Sequence, residues 1–138
     1  MRLTILFVSG LLFHFSIFSQ NNAKEFKSIS KRTLQDLHHE VFQGLEVFTL
    51  NDEMANIYQD RLDRVSFSTV ENLQGKTIRN LSEVYLINKI NQGLKHDNSE
   101  TDLSLFNPLK YSFMFYEPAD QFFQIDGSTQ VIIIKANK

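Results

Sequence analysis

Residues 121–135 read QFFQIDGSTQVIIIK, from Gln121 to Lys135, and this stretch decides the fold. Asp126-Gly127 between two β-prone runs is the strongest short-range hairpin signal in the chain. It separates a strand over 121–125 from a strand over 129–136. Val131, Ile132, Ile133 and Ile134 put apolar groups on both sides of the second strand, the pattern of a strand buried on both faces. Upstream, residues 110–116 alternate, with Tyr111, Phe113 and Phe115 on one side and Ser112, Met114 and Tyr116 on the other. Glu117-Pro118-Ala119-Asp120 is a turn, with Pro118 suited to its second position. These readings predict an antiparallel three-stranded meander over 109–136.

The half before it reads as helical. Apolar residues at 26, 29, 34, 37, 41 and 45 form one stripe of a first helix, which Gly44 frays or stops. Val47 to Leu50 reads as a strand or an extended link. Asn51 or Asp52 caps a second helix carrying Met54, Ile57, Tyr58, Leu62 and Val65, with Asp60, Arg61, Asp63 and Arg64 on its outer face and Arg64 four residues after Asp60. It ends near Arg64, because Val65-Ser66-Phe67-Ser68 turns to alternation. Residues 72–76 are a turn, and 95–102 (KHDNSETD) are a polar surface loop. The middle segment, 78–94, fits a helix through Ile78, Leu81 and Ile90, and fits a buried strand over 84–87; periodicity does not separate the two. The fold class is α+β, with N-terminal helices packed on the C-terminal meander and the first helix covering its last strand.

At the N-terminus, MRLTILFVSGLLFHFSIFS (1–19) has Arg2 as a positive start, an apolar run over 3–18 and Ser19 at the exit. That order matches a secretory signal, with Ile17 larger than usual three positions before the cut. The domain reading is therefore a signal over 1–19 and one α+β domain over 20–138. The alternatives are an uncleaved anchor, for which the run is slightly shorter than the about 20 residues of a membrane span, and a buried core helix. With no cysteine the chain has neither lipidated thiol nor disulfide, so packing alone stabilises it.

The ending before Gln20 resembles signal peptides of the Bacteroidota type. The segments LSEVYLINKIN (81–91), FNPLKYSFMFY (106–116) and QFFQIDGSTQVIIIK (121–135) resemble a group of short, uncharacterised exported bacterial proteins. These share an FNPLKY-like stretch, an IDGT-like turn and a final apolar strand. The resemblance implies export and a common C-terminal fold unit; it implies no activity, cofactor or site residue.

Composition excludes several functions. Losing residues 1–19 removes one basic residue and no acid, taking the net charge from −2 to −3. Basic residues are dispersed, and the densest group, Lys24, Lys27, Lys31 and Arg32, reads as a solvated helix face or a contact with anionic headgroups. Nucleic-acid binding needs a basic stripe, which is missing. His38 and His39 point about 100° apart on a helix and cannot share a metal ion well, even with His96 and Asp97 nearby in the loop; both read as solvent-facing. No G-x-S-x-G elbow occurs, although Ser99 or Ser128 can still meet a histidine in space. Glu117 and Asp120 are a carboxylate pair of the glycosidase kind, or ordinary turn residues.

Aromatic residues remain. Tyr116, Tyr111 and Phe123 are the candidate binding surface, with Tyr116 foremost because it lies opposite the 111–115 stripe. No catalytic, cofactor-binding or metal residue is assigned, and no cofactor is expected. The functional reading is an exported, periplasmic or extracellular, non-enzymatic binding or accessory protein for a protein, peptide or envelope component. Nucleic acid is not a partner, and membrane contact arises only through an uncleaved signal. The alternatives are a small envelope hydrolase and a membrane-tethered accessory subunit.

Overall fold

The computed structural model describes residues 32–43, 45 and 49–138. The signal over 1–19, the start of the mature domain at 20, the first turns of the first helix, Gly44, Val47 and Phe48 lie outside the described residues.

Helix α1, Leu34–Phe42, starts at a capping box. Thr33 Oγ1 accepts from Asp36 N at 3.1 Å, and Thr33 N donates to Asp36 Oδ2 at 3.1 Å. The Thr33 hydroxyl also donates to Asp36 Oδ2 at 2.7 Å, and this bond first, then the one from Thr33 N, hold the Asp36 carboxyl below its ordinary pKa. Its end is Gln43 in the left-handed region (φ 52°), whose N–H donates to His39 O. Helix α2, Asp52–Asp63, is capped by Asn51, whose side chain accepts from Met54 N at 2.9 Å. Arg64 closes it, where the switch to alternation at 65–68 predicts its end. No helix among the described residues is long and apolar enough to cross a membrane.

The sheet has four strands in the order β1-β4-β3-β2: β1 is Val65–Thr69, β2 Arg79–Asn80, β3 Gln121–Gln124 and β4 Gln130–Ile134. β1 and β3 flank β4 antiparallel, and β2 lies parallel to β3. The β3–β4 hairpin forms at the expected place, with Gly127 at φ +75° in its loop, a conformation that costs a residue with a Cβ. Register assigns the faces. Val65, Phe67, Phe123, Ile132 and Ile134 share one face and pack on Leu81, Phe106, Tyr111, Phe113 and Phe115. Ser66, Ser68, Val131 and Ile133 occupy the other face and are buried too.

The architecture is α+β, but the three-stranded meander is corrected. Residues 111–116 are buried alternately, as their pattern demands. Residues 111–114 pass over the sheet face without joining its ladder, and Phe115 and Tyr116 form a turn in which Glu117 N donates to Met114 O at 3.2 Å. Their pairing is one isolated bridge, Leu86 to Tyr111, with Ser112 N donating to Tyr85 O at 2.8 Å. Alternation records that one side of an extended chain is buried; it does not record which chain pairs with it. The place expected for residues 111–116 beside β3 is taken by β2, and β4, the edge strand of a meander, is flanked on its far side by β1, distant in sequence.

The described part of the first helix does not supply the cover expected of it. Leu37, Val41 and Phe42 of α1 pack with Leu94 and Leu109 in a second core, joined by Tyr58 and Leu62 of α2. Chain 106–115 covers the sheet face instead. The ambiguous stretch 78–94 is neither a helix nor a full strand: it holds β2, a 3₁₀ turn at Leu81–Glu83 and the Leu86 bridge.

Candidate functional site

The FNPLKY stretch is a structural hub. Phe106, Asn107, Pro108, Leu109, Lys110 and Tyr111 are all buried. Asn107, 1 % exposed, donates from Nδ2 to Leu37 O at 2.9 Å and to Glu40 Oε2 at 3.0 Å, and its Oδ1 accepts from Leu109 N. It therefore joins α1 to the 3₁₀ turn Pro108–Lys110. Lys110 Nζ lies 2.8 Å from Asp97 Oδ2, and Tyr111 donates its hydroxyl to the same oxygen at 2.6 Å. Burial first, and then the Asp97 carboxylate, push the Tyr111 phenol far above its usual range, so it stays a donor. Asp97 thus departs from the expected exposed loop: it is buried because it neutralises Lys110. Asp126 is similarly occupied, accepting from Ser82 N and Oγ at 2.9 and 2.7 Å.

A groove of about 710 Å³ lies between α2 and residues 111–116. Ile57, Tyr58, Asp60, Arg61 and Arg64 line the helix side, and Ser112, Phe113, Phe115 and Tyr116 the other. Arg64 belongs to the wall: it donates to Phe115 O at 2.6 Å and pairs with Asp60 at 3.0 Å. Arg61 differs. Its guanidinium lies over two rings, 5.7 Å from the Tyr58 centroid and 5.5 Å from that of Phe115. It makes no side-chain hydrogen bond or ion pair with any described residue. Cation–π contacts orient it at a worth of roughly 0.5–2 kcal/mol each and leave its N–H edge without an acceptor among the described residues.

Beside the groove runs a strip of exposed apolar side chains: Tyr116 (72 % exposed), Met114 (46 %) and Tyr85 (84 %). The Tyr85–Ser112 pairing puts Tyr85 on the same outer side as Ser112, Met114 and Tyr116. Of the three sequence-derived surface residues, only Tyr116 is exposed. Tyr111 and Phe123 are each 2 % exposed and belong to the core, because both point at the covered sheet face. The sequence reading missed Tyr85, since 84–87 fitted a helix and a strand equally well. It also left Arg61 as one of several charges on an outer helix face.

The other candidates disperse. His38 is buried, contrary to the expected solvent-facing pair, with its ring 4.6 Å from Phe42 and 5.6 Å from Tyr58. His39 is exposed. His96 Nε2 lies 2.8 Å from Val84 O. Among the described residues no three His, Asp or Glu side chains stand together as metal ligands. Ser128 Oγ donates to Ile125 O and accepts from Gln130 N, serving the hairpin loop. Asp120 accepts from Ala136 N at 2.8 Å, bracing the chain after β4. No protein-family model, curated protein or solved structure matches the chain.

Proposed function

We propose that this is an exported, periplasmic, non-enzymatic binding protein that meets a protein or peptide partner through the groove and the strip Tyr85–Met114–Tyr116. The single observation that carries the binding reading is the strip. Two tyrosines and a methionine stand in solvent beside a groove, whereas the neighbouring Phe106, Tyr111, Phe113 and Phe115 are buried in the core. Solvent exposure of such side chains brings no folding stability, and contiguous exposed apolar surface marks interaction sites. Tyrosine also suits interfaces, combining apolar area with a polar tip and few rotatable bonds. Export rests on residues 1–19 and on the resemblance above.

The test is retention of a partner from a native envelope extract on the immobilised mature chain, set against the variant Tyr85→Ala/Tyr116→Ala. The reading expects a partner held by the wild type and lost by the variant, at an unchanged urea midpoint. A partner retained equally by both would remove the strip from the interface.

A further inference from the structure

We propose that the groove recognises an extended protein segment by an internal acidic side chain, which Arg61 binds. This rests on the binding reading above and specifies its ligand. Three charged groups line the groove: Asp60, Arg61 and Arg64. Asp60 and Arg64 neutralise each other at 3.0 Å, and Arg64 also holds Phe115 O. The charge left to a ligand is that of Arg61.

Arg61 is also prepared for that task. Tyr58 and Phe115 fix the guanidinium plane from two elements, so less side-chain freedom is lost when an acceptor arrives. A guanidinium fork matches a carboxylate with two parallel N–H···O bonds. The half-buried setting between aromatic rings weakens competition from water. An internal residue fits better than a chain end. The groove is open, and the exposed strip continues from Tyr116 past Met114 and Ser112 to Tyr85. A segment that follows the strip passes the carboxylate and does not end at it, and its apolar or aromatic neighbours pack on Tyr116.

Selection of random short peptides on the immobilised mature protein tests this. Selected sequences should be enriched in Asp or Glu close to an aromatic residue, and should bind equally with free and amidated C-termini. Arg61→Gln should weaken them about tenfold or more, the scale of hydrogen bonds to a charged group. Arg61→Lys, which keeps the charge and loses the fork, should recover only part of that, and unchanged urea midpoints would show that both variants fold. Peptides that need a free C-terminal carboxylate would overturn the internal-residue assignment. Neutral peptides that depend on Tyr116 and ignore Arg61→Gln would overturn the acidic ligand and leave the groove reading standing. Selection that yields no Tyr116-dependent peptide would overturn both.

Discussion

Ile133 and Tyr116 show how much position within the sheet region matters. Ile133 is 3 % exposed at the centre of a strand flanked on both edges. Replacing it with Ala removes buried methyl groups and leaves a cavity, at about 2–5 kcal/mol. Tyr116 is 72 % exposed, so Tyr116→Ala should stay within about 0.5 kcal/mol of wild type. Urea melts separate the two; equal losses would show that Tyr116 is covered and would remove it from the binding strip. His38 gives a pH signature. Burial against Phe42 and Tyr58, and then the neighbouring His39 charge, hold its pKa below the ordinary 6.5. The unfolded chain therefore takes up its proton at higher pH than the folded chain. Stability falls as pH drops from about 6.5 towards the lowered value, and levels off below it. His38→Phe should lose that part of the pH dependence, read as the urea midpoint above and below pH 6.5; an unchanged slope would mean that His38 titrates normally.

Among the elements, those with local signals were legible in the sequence. Asn51 capping, the Arg64 stop and the Asp126-Gly127 hairpin each depend on residues a few positions apart, and each forms. The β1–β4 pairing was not legible, because five-residue alternation at 65–69 carries no record of its partner. The same gap made residues 111–116 look like a ladder strand. Asp97 was read as exposed because nothing local shows that Lys110 and Tyr111 close over it. That clasp ties the 95–102 loop to the sheet cover. Lys110→Met leaves the Asp97 carboxylate buried without its cation and should cost about 3–5 kcal/mol. Adding Asp97→Leu should restore part of the loss, so the pair should be non-additive in a double-mutant cycle. Strict additivity would mean that the two groups do not interact.

For the whole molecule, the two cores meet at the FNPLKY hub, and the groove lies along one side of it. Rigid packing there presents Arg61 and Tyr116 from two different elements at fixed spacing. At this scale only part of the candidate site could be read from the sequence: Tyr116 followed from alternation, while Arg61 and Tyr85 became distinctive once α2 and residues 85–87 were placed beside it. Export predicts that the mature chain begins at or near Gln20, and intact mass of the exported protein checks this. A Met1 start in the membrane fraction would favour a tethered subunit.

The most direct test of the binding role is photocrosslinking in living cells, with a photoreactive residue placed in turn at 57, 85 and 116 and at the remote exposed position 71. The account predicts one shared adduct from 57, 85 and 116 and none from 71. The same adduct from all four positions, or adducts from 71 alone, would contradict it.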